Sequence, residues 1–249
     1  MLDDPTQRTG ARSVKTSELL AARIVRDIVS RRLTAGTRLP TEAAMLSMYE
    51  VSRGSLREAL RILEVNGLIT VKAGPQGGPF VGSVSPSNFS RTLSLFLEMG
   101  MTTFEQVLAA RVTVEPMLAR LAASHPSSAL RRSLEEALGR QDALDRQDSA
   151  AYVEVVQDFH GIVAQHCGNG VLALFGESLK EVFTERALVA HQPAARWDEV
   201  MAEHRLIATA IVAGDAHAAE DEMRKHMDKF AASFRRRYGF LLREVVGWH

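Results

Sequence analysis

A chain of 249 residues is long enough for one large or two modest domains. It holds 30 Lys+Arg against 30 Asp+Glu and one cysteine. No apolar run approaches the roughly 20 residues that span a bilayer. The composition therefore excludes an intramolecular disulfide and argues against membrane insertion. The single Cys167 fits a reducing, cytoplasmic compartment, and MLDDPTQRTGARS lacks the apolar core of a signal peptide. Zero net charge conceals an asymmetry. Residues 1–84 carry 12 basic against 8 acidic side chains, and the remainder carries 18 against 22. A basic head on an acidic body suits a domain that meets phosphates joined to one that does not.

Residues 1–14 read as a flexible arm. Ser17 is placed to cap an amphipathic helix with Leu20, Ile24 and Ile28 on one face and Val25 alongside, ending in RRLTAG at Gly36. Thr41 N-caps a second helix whose apolar positions are Ala44, Met45 and Met48. VSRGS then breaks the period. Ser52 caps a third helix in which Leu56, Leu60 and Leu63 recur on one face, while Arg53 and Arg57, four residues apart, share another. An apolar back and a cationic N-terminal front fit the recognition helix of a helix-turn-helix. Asn66-Gly67 ends it. A strand over Leu68–Lys72 and another beginning at Pro79-Phe80-Val81 enclose Ala73-Gly74-Pro75-Gln76-Gly77-Gly78, a turn-rich wing tip whose glycines let backbone approach phosphates.

GTRLPTEAAM, VSRGSLREALRILEVNGLI and the wing resemble the N-terminal domain of the GntR family of bacterial transcription regulators, over roughly residues 15–82. The resemblance implies a winged helix-turn-helix in which Ser52, Arg53, Gly54, Ser55 and Arg57 meet operator DNA. Thr41, Lys72 and Gly74 complete the expected DNA-facing set. Two positions depart from the family pattern. Ala43 follows Glu42 where an arginine is usual, and the long wing tip has no basic residue beyond Lys72 at its base.

From residue 85 onward no run alternates as a strand does. Ser85-Pro86-Ser87-Asn88 starts a helix through Leu93, Phe96 and Leu97 to Met99-Gly100. Thr102-Thr103 caps a longer one with Val107, Val114, Leu118 and Leu121, ending near His125-Pro126. Helices over about 127–146, 149–167, 170–190, 195–213 and 215–243 follow, making an antiparallel bundle of about seven, separated by stops such as Gly168-Asn169-Gly170 and Gly214-Asp215. TFEQVLAARVTVEPMLARLAA, DFHGIVAQHCGN and EHRLIATAIVAGDAHAAEDEMRKHM resemble the FCD ligand-binding domain of the FadR subfamily, in its seven-helix branch. The resemblance implies a homodimer and an effector bound within residues 85–246.

Three histidines fall on core-facing stripes. His160 aligns with Val153, Val156, Val163 and Cys167; His204 with Ile207 and Ile211; His226 with Ala219, Met223 and Phe230. One such histidine is usually a core residue satisfied by a hydrogen bond. Three on three helices can converge on a metal, since Zn²⁺ accepts three imidazoles with a fourth position open. In many FCD domains the corresponding positions bind a divalent metal (Zn, Ni or Mn) that holds a carboxylate effector. That pattern also has an aspartate four residues before the first histidine, where this chain has Val156. Asp158 lies about 200° around the helix from His160 and Glu154 is also badly placed, so neither replaces it. A three-histidine metal site and a metal-free polar pocket both remain open.

Arg111 is the remaining effector-binding candidate, reaching a carboxylate bidentately or pairing with Glu115 at i,i+4. Asn169 reads as a helix cap, Arg235-Arg236-Arg237 as a solvated face, and His166, His191 and His217 have no constellation around them. HExxH, GxSxG, a P-loop and a strand–helix GxGxxG are all missing from the sequence. The reading is a mainly α, non-enzymatic, dimeric regulator of double-stranded operator DNA, a repressor in the commonest case, controlled by a small carboxylate metabolite. An acyl-CoA-responsive regulator and a direct metal sensor are the alternatives within that class. A metal-dependent hydrolase with a DNA-binding head is the alternative outside it.

Overall fold

The computed structural model describes residues 5–74, 77–83, 85–144, 148–189 and 197–248. Of the positions singled out above, Pro75, Gln76 and His191 lie outside this set. The chain divides into two compact units, Met1–Asn88 and Phe89–His249.

The first unit contains helices α1 (Pro5–Ser30), α2 (Glu42–Tyr49) and α3 (Arg53–Val65), followed by strands β1 (Ile69–Lys72) and β2 (Gly78–Val81). Proline stands at the first position of α1, where its missing N–H costs no helical bond. Residues 5–14, expected as an arm, are therefore helical. Ser17 is buried in mid-helix rather than capping it. The expected face of α1 is otherwise present. Leu20, Ala21 and Ile24 pack with Leu39, Met45, Tyr49, Leu56, Ala59 and Leu63 into one core. On α2 the buried residues are Met45 and Tyr49, whereas Ala44 and Met48 face solvent. The corner between α2 and α3 is made by Glu50, which adopts a left-handed φ of 54°.

β1 and β2 pair antiparallel, with Ile69 opposite Val81 and Lys72 opposite Gly78. The sheet has a further edge that the hydropathy pattern does not reveal. Arg38 forms a bridge with Phe80. Gly36 N–H donates to Val81 O at 2.8 Å and Leu39 N–H to Pro79 O at 2.9 Å. The segment before α2 thus holds the wing.

The second unit is an all-α bundle: α4 (Pro86–Met99, which begins at the end of the first unit), α5 (Phe104–Ser124), α6 (Ser128–Asp142), α7 (Ser149–Gln165), α8 (Gly170–Val189), α9 (Trp197–Ala213) and α10 (Ala216–Leu242). These seven helices, counted among the described residues, match the expected series. α5 is started by Thr103, whose N–H donates to the Gln106 side chain at 2.8 Å. Phe96 on α4 is 68% exposed, although the helical pattern put it on an apolar face. α5 packs along α10 and α8 and also meets α9 and α7, while α6 packs on α7 and α9. One apolar cluster fills the bundle around Leu118, Phe159 and Ile207, and a second surrounds Phe183, Trp197 and Phe234. Among the described residues, no helix is long and apolar enough to cross a membrane.

Candidate DNA-binding surface and three-histidine site

In the first unit, Ser52 Oγ accepts from Ser55 N–H at 3.1 Å and caps α3, while Thr41 Oγ1 accepts from Ala44 N–H at 3.3 Å and caps α2. Both caps leave the N-terminal turn of α3 facing solvent. Arg53, Gly54 and Arg57 are exposed there. Ser55 differs from expectation: it is buried, with its hydroxyl 2.9 Å from that of Ser52. Its geometry supports the cap rather than a DNA contact. Arg57 Nε donates to Glu42 Oε1 at 3.2 Å. On the wing, Lys72 is exposed, with its ammonium 4.7 Å from the Phe80 ring centre. Gly74 is also exposed, and its φ of +101° is one that a side chain would strain. Arg38 reaches the wing tip, donating to Gly77 O at 2.7 Å.

In the second unit, His160 of α7, His204 of α9 and His226 of α10 converge. All three are buried, and their candidate ligand nitrogens lie within 4.8 Å of one another. The Nε2 atoms of His160 and His226 are 3.3 Å apart. Each ring is held from behind through Nδ1. Glu115 Oε2 meets His160 Nδ1. Glu203 Oε2 lies 2.7 Å from His226 Nδ1, and the Gln141 amide faces His204 Nδ1 with Nε2 at 2.9 Å and Oε1 at 3.2 Å. Phe159 stacks on the His204 ring at 4.0 Å. An ionised carboxylate can only accept, so the Nδ1 atoms of His160 and His226 are donors, and a neutral ring in that tautomer carries its lone pair on Nε2. His204 Nε2 is buried without a protein partner.

Burial disfavours the charged form of His160 and His204. Burial pushes the His160 pKa down despite the opposing charge of Glu115. Burial, followed by the neighbouring imidazoles, lowers that of His204 well below the usual histidine range. Burial would raise the Glu115 carboxyl, but Arg111 and His160 outweigh it and hold the group below its ordinary range. For Glu203, burial is likewise outweighed, here by His226 and Lys229.

The donor set fits a divalent metal. Two tetrahedral ligands at 2.0–2.1 Å from zinc stand about 3.3–3.4 Å apart, close to the His160–His226 separation. Neutral rings anchored through Nδ1 are the usual form of metal-bound histidine. Val156 lines the adjacent cavity and offers no ligand. Asp158 pairs with Arg140, and Glu154 is exposed, so neither carboxylate takes the place of Val156.

Arg111 is buried. Its Nε donates to Glu115 Oε1 at 2.7 Å and its Nη2 to Gln157 Oε1 at 3.3 Å, while Nη1 has no protein partner. The ion-pair reading of Arg111 is the one the structure shows. The cavity that Arg111 shares with His160 and His226 offers about 30 Å³ to the centres of water-sized groups, room for a couple of waters. Sequence reasoning missed Glu203, Gln141 and Gln157, and gave Glu115 only its ion pair. It also saw no carboxylate near the histidines. Glu115 and Glu203 are there, but both are engaged by Nδ1 atoms and by Arg111 and Lys229. The one sequence signal for Glu203 was its place beside His204, which does not reveal that it turns toward α10. Asn169 caps α8, accepting from Val171 N–H at 3.0 Å. Arg235 pairs with Glu105, His166 Nδ1 contacts Ile162 O, and His217 is exposed.

A winged helix-turn-helix joined to an all-α domain is the architecture of a DNA-binding transcription regulator. The chain belongs to the GntR family of bacterial regulatory proteins, whose model matches residues 16–81; the FCD domain matches residues 106–229. It is similar to the HTH-type transcriptional regulator YcbG of Bacillus subtilis (28% identical, covering 82% of this chain and 84% of that protein). It is also similar to the HTH-type transcriptional repressor NanR of Escherichia coli K12 (27% identical, covering 88% and 84%). The solved structure of a Streptococcus agalactiae GntR protein shares the fold, with a TM-score of 0.70 at 22% identity over 87% of this chain and 99% of that one. These relatives are transcription regulators, and the chain is one rather than an enzyme.

Proposed function

We propose that this regulator is a cytoplasmic homodimer that represses transcription, and that a small carboxylate metabolite bound at the three-histidine site through a divalent metal controls its operator affinity. The observation that supports this most is the convergence of three buried imidazoles, with the Nε2 atoms of His160 and His226 3.3 Å apart and His204 Nε2 without a partner among the described residues. Two such nitrogens in a dry interior need a proton or a metal cation between them. His160, His204 and His226 would hold the ion. Once bound, it would supply the positive charge that fixes a carboxylate. Arg111 Nη1 would donate to the same anion, charge-assisted and out of water. Because α5, α7, α9 and α10 all contribute to the site, a ligand there biases how these helices pack. That packing is the means by which a bundle passes binding energy to the DNA-binding heads.

The small cavity favours a short acid over an acyl-CoA. The test is elemental analysis of tag-free protein, with and without added zinc, nickel or manganese. The expected result is about one equivalent per chain, lost in His204→Ala. Protein that neither retains nor takes up metal would overturn the metal-mediated reading.

A further inference from the structure

We propose that Arg38 gives the wing a second cation for the DNA backbone, one that the hairpin's own sequence does not contain. Side chains alternate along a strand, and Pro79 and Val81 of β2 are buried. Phe80 between them therefore belongs to the outer face. Thr70 of β1 pairs with Phe80 from one side, and Arg38 bridges to it from the other. Lys72, two residues beyond Thr70, shares that face and holds its ammonium 4.7 Å from the Phe80 ring centre. Arg38, Thr70 and Lys72 are all exposed.

The Arg38 side chain runs to the wing tip, where Nη2 donates to Gly77 O at 2.7 Å. That carbonyl is itself held in place. Gly77 N–H donates to Gly74 O at 2.8 Å, and a Cβ on Gly77 would stand 2.2 Å from Lys72 O, so the turn admits only glycine there. A guanidinium carries several N–H donors in one plane, so a single bond to a carbonyl orients the group and leaves donors for a phosphate oxygen. A carbonyl has no charge with which to neutralise it. The full positive charge of Arg38 thus stands beside that of Lys72, unlike Arg57, which pairs with Glu42. A phosphate carries no sequence information, so this contact strengthens binding and sets the register of the wing without selecting bases.

The experiment measures DNA affinity against salt concentration by fluorescence anisotropy, using full-length protein and a duplex that the parent protein selects from a random-sequence pool. Arg38→Gln is made in the parent and in Lys72→Gln, and circular dichroism checks the fold of each. One lost phosphate contact makes the plot of log affinity against log salt shallower by about 0.9 per DNA-bound protomer. Arg38→Gln is expected to do this in both backgrounds, and Arg38→Lys, which keeps the charge, to retain the parent slope. An unchanged slope in folded Arg38→Gln would overturn the proposal. A change that vanishes in the Lys72→Gln background would overturn it as well, because Arg38 would then serve only to hold the wing for Lys72. If Arg38→Gln fails to fold, Arg38→Lys decides alone: the parent slope supports the contact, and a shallower one overturns it.

Discussion

Arg57 Nε donates to Glu42 Oε1 at 3.2 Å, joining the recognition helix to the first turn of the helix before it. With Arg57 71% exposed and Glu42 42% exposed, the pair adds little to stability. Its consequence is directional. The bond engages Nε and leaves the Nη1–Nη2 edge available for a bidentate contact with guanine, the commonest specific arginine contact in the major groove. Ala43 stands where the family commonly has another arginine, so Arg53 and Arg57 are expected to carry more of the operator recognition.

Arg57→Ala is expected to abolish specific operator binding without altering the fold. A base-reading arginine contributes about 1–3 kcal/mol of discrimination. Band-shift titrations against operator and unrelated duplex check this, with circular dichroism as the control. Retained discrimination would remove Arg57 from the readout.

The Arg111–Glu115 pair is almost fully buried, at 2% and 7% side-chain exposure. Removing one partner strands the other's charge out of water, so Glu115→Ala should destabilise the bundle by about 3–5 kcal/mol. Denaturant unfolding measures this. A loss below about 1 kcal/mol would mean that Arg111 finds another partner or water.

Glu203 fixes the orientation of His226 from outside the cluster. If the three imidazoles hold a metal, Glu203→Gln should weaken its binding by about 10–100-fold, the usual effect of losing a carboxylate behind a histidine ligand. Competition with a chromogenic chelator measures that affinity. Unchanged affinity would show that His226 needs no such anchor.

Tyr49 donates to Asp27 at 2.7 Å within the DNA-binding unit. Burial first, then the carboxylate, raises its pKa to about 12. Because the folded protein holds this proton more tightly than the unfolded chain, the stabilisation is complete below pH 10 and is lost as pH rises toward 12. Thermal melts from pH 9 to 12 should show a smaller alkaline loss of stability in Tyr49→Phe than in the parent. Parallel curves would refute the shift.

Leu56 is fully buried in the core of the helix-turn-helix. Leu56→Ala should cost about 2–5 kcal/mol through lost burial and a residual cavity. The unfolding midpoint of the DNA-binding unit reports it.

Helical period alone established much of this molecule. It put Arg53 and Arg57 on one face of α3 with Leu56 and Leu63 behind them, and turned His160, His204 and His226 inward, because phase around a helix is a local property of the chain. Thr41 and Ser52 announced their helices for the same reason: a cap bonds only two or three residues away. Other features depended on how separate elements pack. Ala44 and Met48 share α2 with Met45, yet only the fold decides which of them meets the core. That Ser55 is buried against Ser52 is likewise visible only in the fold. The meeting of three imidazoles, the turn of Glu203 toward α10 and the placement of Gln141 and Glu115 behind the rings are relations between helices distant in sequence. Periodicity within each helix carries no information about the rotation and depth at which it docks on its neighbours; the close packing of the bundle sets both, and with them the site.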